Sequence, residues 1–168
     1  NGLNTVSLTK ANTGTWTLYG PNTFSGATAV DNGLLVVEGP DGALLGAGGI
    51  TVNQGATLRL ENNAVTNNGN RLSDTAAITM KGGVLDVAHS GGAASYSETA
   101  GQLVVNSGSN TLLTARADES QTASMTFASL SRTGGTINFV GEGLGNSDNR
   151  NRVLFTAEPA LTNGLIGP

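Results

Sequence analysis

Ile50-Thr51-Val52-Asn53-Gln54-Gly55-Ala56-Thr57-Leu58-Arg59-Leu60 reads as two short strands joined by a tight turn. Ile50 and Val52 alternate with polar neighbours, and so do Leu58 and Leu60. Alternation at period two collects one apolar set on a single face of a strand. Gly55 supplies the positive φ that a tight turn needs and that other residues resist.

The phrase recurs along the chain. Further alternating pairs are Val6/Leu8, Trp16/Leu18, Thr28/Val30, Leu35/Val37, Ile78/Met80, Leu85/Val87, Leu103/Val105, Met125/Phe127, Ile137/Phe139 and Val153/Phe155, with Thr111–Thr114 a weaker member. Turn phrases such as Asn32-Gly33, Lys81-Gly82-Gly83, Ser107-Gly108 and Gly134-Gly135 separate them. One series, Trp16, Leu35, Leu58, Leu85, Leu112 and Ile137, advances by 19, 23, 27, 27 and 25 residues. An interleaved series, Thr28, Ile50, Ile78, Leu103, Met125 and Val153, advances by 22, 28, 25, 22 and 28. Two strands thus return in every unit of roughly 25 residues, within the range of solenoid repeats. Helical periodicity is nearly absent.

This spacing predicts an all-β fold, a right-handed parallel β-helix of about six coils stacked at about 4.8 Å. A Greek-key β-sandwich would also give many short strands, but not two series that keep step. Leu18, Leu35, Val37, Ile50, Val52, Leu58, Leu60, Ile78, Leu85, Val87, Leu103, Ile137 and Phe139 are expected to point inward. Corner loops are expected at Asn62–Asn70, His89–Ser97, Arg116–Gln121 and Gly141–Arg152, the last including the most polar stretch, 146–152.

Composition bounds the chemistry. The 168 residues suit one domain, read here as a single β-helix segment, 1–168, excised from a longer protein. Glycine is abundant at 25 residues, and charged residues are scarce at 12%. A net charge of −4 excludes a basic nucleic-acid footprint. No apolar run approaches a membrane span, so no direct membrane insertion of this segment is expected. Asn1 to Lys10 show no signal-peptide pattern. There is no cysteine and one histidine, which removes disulfides, thiolate metal sites and multi-histidine sites.

Candidate sites are weak by the same standard. Carboxylates are dispersed, and Asp118-Glu119 is the one adjacent pair, read as a solvated loop. Gly141–Asp148 misses the spacing of calcium-binding nonapeptides. His89, before Ser90-Gly91-Gly92, reads as an exposed turn residue. No G-x-S-x-G elbow is present. Asp86 should face outward between Leu85 and Val87, where Arg59 could form a surface pair of little energetic worth. Trp16 reads as core and Tyr19 as facing the other way. Asn22, Asn32, Asn53 and Asn106 precede turns and should bond locally to backbone. These readings predict no enzyme activity, no cofactor, and no catalytic or metal residues.

Gly14-Thr15-Trp16-Thr17-Leu18-Tyr19-Gly20-Pro21-Asn22-Thr23-Phe24-Ser25-Gly26-Ala27-Thr28-Ala29-Val30 resembles the autotransporter-associated β-strand repeat, roughly G-T-x-T-L-x-G-x-N-T-Y-T-G-x-T-x-V. Asp31–Val37 resembles its N-x-G-T-L-x-V ending. Phe24, Leu34 and Ala27 depart from the usual Tyr, Thr and Gly. Gly49–Leu60 looks like the next coil, and Leu161–Gly167 is similar to the L-x-N-G-I-I-G phrase that often follows. The resemblance implies a passenger-type segment of a secreted protein on the bacterial surface, acting as a non-catalytic stalk or spacer. The alternative is an adhesin-type module for glycans or host proteins; a lyase-like enzyme fragment is a third. Expected partners are flanking coils of the same polypeptide and, end to end, other copies. No cap is expected at either end, where Asn163–Pro168 reads as a turn.

Overall fold

The computed structural model describes residues 5–46, 48–91, 95–148, 150–162 and 165–166. Asn1–Asn4, Gly92 in the turn after His89, Asn149 in the polar stretch, and Asn163, Gly164, Gly167 and Pro168 of the closing phrase lie outside the described residues.

The chain winds as a β-solenoid with three walls. The first wall stacks β1 (Leu8–Lys10), β4 (Thr28–Val30), β7 (Ile50–Asn53), β9 (Ile78–Lys81), β12 (Leu103–Ser107) and β15 (Leu130–Arg132). The second stacks β2 (Thr15–Leu18), β5 (Gly33–Val37), β8 (Ala56–Asn62), β10 (Val84–His89), β13 (Ser109–Thr114) and β16 (Thr136–Gly141). Every pairing within these walls is parallel. Among the described residues there is no helix.

The third wall is broken. β3 (Pro21–Asn22) pairs with β6 (Ala43–Leu44), and β11 (Tyr96–Ala100), β14 (Ala123–Phe127) and β17 (Asn151–Phe155) form a separate parallel ladder. Between them, among the described residues, a bridge from Leu44 to Leu72 alone closes the coil. Fewer than the expected six coils therefore carry a regular strand on all three sides.

The register explains the core. Leu35, Leu58, Leu85, Leu112 and Phe139 align on successive coils, as do Val37, Leu60 and Val87. Opposite them stand Ile50, Ile78, Leu103 and Leu130, and beside those Val30, Val52, Met80 and Val105. All but Phe139 are buried. Each such side chain contributes about 1.5–3 kcal/mol relative to exposure. In the third wall Phe127 and Phe155 stack at 5.8 Å, and Phe139 meets Phe155 edge-on at 6.3 Å.

Of the thirteen expected inward residues, Leu18, Ile137 and Phe139 are only partly buried, because they lie in end coils. Trp16 aligns with Leu35 but is 48% exposed, since β2 is the terminal strand of its wall. The two series read from sequence slip in the late coils. Phe139 rather than Ile137 continues the leucine column of the second wall, and Leu130 continues the first wall, while Met125 and Val153 belong to the third. Alternation in the longer β14 and β17 outshines the short Leu-Ser-Arg of β15.

Gly33, Gly55, Gly82, Gly108 and Gly135 all take positive φ, as expected of the turns. They fall one per coil at the corner between the first and second walls. At Gly33, Gly108 and Gly135 the corner is too tight for a side chain: a Cβ on Gly108 would come within 2.8 Å of Gly82 Cα. In the first coil Asn12, the one non-glycine residue with positive φ among those described, serves there, and Lys10 donates three bonds to the carbonyls of Ala11, Asn12 and Asn32. The four expected loops all leave at one other corner, between the second and third walls. The closing phrase forms an antiparallel hairpin, β18 (Leu161–Thr162) with β19 (Leu165–Ile166), rather than a bare turn.

Candidate functional site

The loop-bearing corner gathers several of the chemically capable side chains. Its interior is a polar cluster that the sequence reading missed. Arg71, just before the Leu72 bridge, is fully buried. Its guanidinium donates to the carbonyls of Gly39 (3.0 Å) and Gly42 (2.8 Å) and to Asn62 Oδ1 (3.2 Å). Glu98, on the inward face of β11, accepts the backbone N–H of Arg71 (2.9 Å) and of Leu72 (3.2 Å), and the Tyr96 hydroxyl (2.9 Å). The carboxylate thus takes the place of a strand where the third wall is broken. Burial pushes the Glu98 carboxyl up and the Tyr96 phenol well up, and pulls the Arg71 guanidinium down from its ordinary value. The one available signal was Tyr96-Ser97-Glu98-Thr99-Ala100, which alternates but places an acid among the inward positions.

His89 ends β10 and is 2% exposed, not a surface turn residue; its ring meets Tyr96 edge-on at 6.4 Å. The wall runs one residue further than the apolar alternation suggested, which carries His89 inside the corner. Asp86 does take the outward parity but is buried. Arg59 Nε lies 2.7 Å from Asp86 Oδ2, with side chains 41% and 5% exposed. Beside it Glu61 sits 4.0 Å from Arg59 and accepts the Ser90 hydroxyl. The turn asparagines behave as expected only in part. Asn22 bonds locally to Gly20 O and Asn32 to Gly33 N–H, but Asn53 reaches Asp31 and Asn106 reaches Thr133 on neighbouring coils.

Asp118 and Glu119 do not converge on a common point. Asp118 Oδ1 accepts the Ser120 N–H (2.7 Å), and hydrogen bonds from Ser120 hold its carboxyl below the usual range. The Glu119 carbonyl accepts Arg116 and Arg150. Nothing in this loop aims several oxygens at one centre. Among the described residues no group of three or more His, Asp or Glu is placed to hold a metal ion.

Nearer the first coils, on the same corner, a groove of about 510 Å³ is open to solvent, between Tyr19, Glu38, Pro40, Asn63, Val65, Thr66 and Ser90. A smaller cavity of about 330 Å³ lies against Phe139, Val153 and Phe155, where the last coil has no coil above it.

No curated protein matches the chain, and no solved structure does. A family model described as the passenger-associated-transport-repeat matches residues 8–37. That span opens with the first residue of β1 and closes with the last of β5, so it covers one full coil and two walls of the next. Over these residues the chain is similar to the repeat of autotransporter passengers, and the β-solenoid it folds into is consistent with a passenger repeat.

Proposed function

We propose that this chain is a structural stalk or spacer segment of a secreted β-helical protein displayed on the bacterial surface, acting without catalysis. The observation that carries this reading is the continuous parallel stacking of the first two walls, joined to the passenger-repeat match in the first coils. Chemically capable side chains serve the scaffold: Glu98 and Arg71 close a wall, Lys10 closes a corner, and Asp118 closes a loop. Such a rod carries load through backbone ladders and apolar columns, and its length follows from its number of coils.

Among the described residues no strand pairs with the outer sides of β2 and β16, which leaves open strand edges. They are suited to pairing with neighbouring coils of the same polypeptide, and in the isolated segment with other copies end to end. The β18–β19 hairpin shares a cavity with Ile137 and Phe139 through Leu161 and Ile166, so it offers partial cover at one end.

The test is replacement of this segment, in the parent protein on living cells, by a foreign β-solenoid of equal coil number. Retained surface display and retained reach from the cell support the spacer reading. Loss of display despite a folded replacement overturns it. Turnover of polygalacturonate that disappears in Asp118→Ala or Glu119→Ala would overturn its non-catalytic part.

A further inference from the structure

We propose that the groove on the loop-bearing corner is a carbohydrate-binding site for a neutral or amino-bearing glycan. This goes beyond the spacer reading and does not rest on it, since a stalk can carry a site on its flank.

The groove is built from four successive coils. Tyr19 comes from the first, Glu38 and Pro40 from the second, Asn63 to Thr66 from the third, and Ser90 from the fourth. It runs along the axis, and at about 4.8 Å per coil it extends about 14 Å, the length of a short oligosaccharide.

Its chemistry suits sugars. Tyr19 is 61% exposed yet seated: Gly39 lies under it with φ +87°, and a Cβ there would come within 3.0 Å of the ring. The glycine lets the ring rest on backbone, which makes an exposed aromatic a fixed platform for the C–H face of a pyranose. Val65, 90% exposed, and Pro40 extend the apolar surface. Small-molecule sites are mostly apolar with a few placed polar groups, and here those are the Glu38 carboxylate and the Thr66 and Ser90 hydroxyls. Ser90 is oriented by its bond to Glu61. Thr66 Oγ1 is buried without a hydrogen-bond partner, in a groove wall where a ligand hydroxyl could satisfy it.

Other ligand classes fit less well. A peptide binding as an added strand needs a row of free backbone groups, but several of those bordering the groove are used. Glu38 N–H bonds Leu18 O, Ser90 N–H bonds Asn62 O, Asn63 N–H bonds Thr66 O, and the Val65 and Thr66 N–H groups bond Asn63 Oδ1. No lysine or arginine stands among the described residues lining the groove, while Glu38 does, so an acidic ligand meets repulsion without a counter-charge.

The experiment uses the 168-residue chain and titrates cellotriose, maltotriose, chitotriose and glucosamine trimer, with trigalacturonate as the acidic comparison, by calorimetry or ligand-observed NMR. Concentrations reach about 10 mM, enough to saturate a site with a Kd of about 1 mM. Binding of at least one neutral or amino trimer is expected, weakened tenfold or more in Tyr19→Ala and retained in Tyr19→Trp. Because Tyr19 is exposed, the thermal midpoint of Tyr19→Ala should stay near that of the parent, which separates lost binding from lost folding. Absence of binding by all the neutral and amino trimers, binding unchanged in Tyr19→Ala, or preference for trigalacturonate would each overturn the proposal. The spacer reading is judged separately, by display and reach.

Discussion

Glu98 and Arg71 are joined not charge to charge but through the backbone, the Glu98 carboxylate accepting the Arg71 N–H at 2.9 Å while the guanidinium turns to the carbonyls of Gly39 and Gly42. The bond splices two ladders that no strand connects. Glu98→Ala should therefore cost about 2–4 kcal/mol, since it strands two buried N–H groups that the carboxylate now satisfies. Urea denaturation measures it, and a loss near zero would mean that water closes the gap equally well.

The same residue sets a pH dependence. Its carboxyl titrates above the ordinary value of 4.5 in the folded chain because burial disfavours the charge. From 4.5 up to that raised value the folded state keeps the proton that the unfolded state has released. The Glu98 contribution to stability therefore falls as pH rises through this window, and it is level below 4.5. Glu98→Gln should remove this contribution. The readout is the difference in urea midpoint between parent and variant from about pH 4 to about pH 7; parallel curves would exclude Glu98 as its source.

Leu58 is fully buried between Leu35 and Leu85 on the coils either side. Leu58→Ala should cost about 2–5 kcal/mol through the cavity it leaves. Leu58→Asp should unfold the local coil, because an unpaired buried charge costs more than any strand preference recovers. Amide exchange across β5, β8 and β10 locates the damage.

Arg59 and Asp86 should respond unequally to removal. Arg59→Met leaves a carboxylate side chain that is 5% exposed without its partner, whereas Asp86→Leu returns to water an arginine that is already 41% exposed. The first should cost about 2–3 kcal/mol and the second about 1 kcal/mol or less. Equal losses in chemical denaturation would show that Asp86 finds another donor.

Two glycines with similar backbone angles make a controlled comparison. Gly135 and Gly145 have φ of +70° and +80°, but an added Cβ meets Gly108 O at 2.4 Å in the first case and nothing within 4 Å in the second. Gly145→Ala should cost about 1–2 kcal/mol, the strain of the left-handed region alone. Gly135→Ala should cost clearly more, because the corner of the preceding coil must move as well. Indistinguishable melting temperatures for the two would show that the corner yields.

The walls were legible because a two-sided strand writes its burial in alternate residues, and Leu35, Leu58 and Leu85 follow that rule. The positive-φ turns were legible because a tight corner leaves glycine few substitutes. Trp16 was misread because alternation reports which way a side chain faces and not whether another coil covers it. His89 was misread because polar type was taken for exposure, while the corner supplies cover; Asp86 faces outward and pairs with Arg59 as expected, but is buried, its side chain only 5% exposed. The Arg71–Glu98 cluster was least legible, since its members are 27 residues apart in sequence. The inward parity of Glu98 between Tyr96 and Ala100 hints at burial, but nothing local shows that its partner is backbone one coil away. Tyr19 was read as facing away from the core, but the groove beside it needs four coils at once, and no single segment describes it.

The placement of the long loops among the described residues at one corner, across the second wall from a seam of stacked glycines, gives the molecule a tolerant edge and an intolerant one. Random in-frame insertion of short peptides, scored for folding, should return survivors strung along a single line of the surface. Neighbouring survivors on that line would stand one coil rise apart, about 4.8 Å. The protein would then serve as a ruler from which foreign epitopes can be hung at fixed intervals.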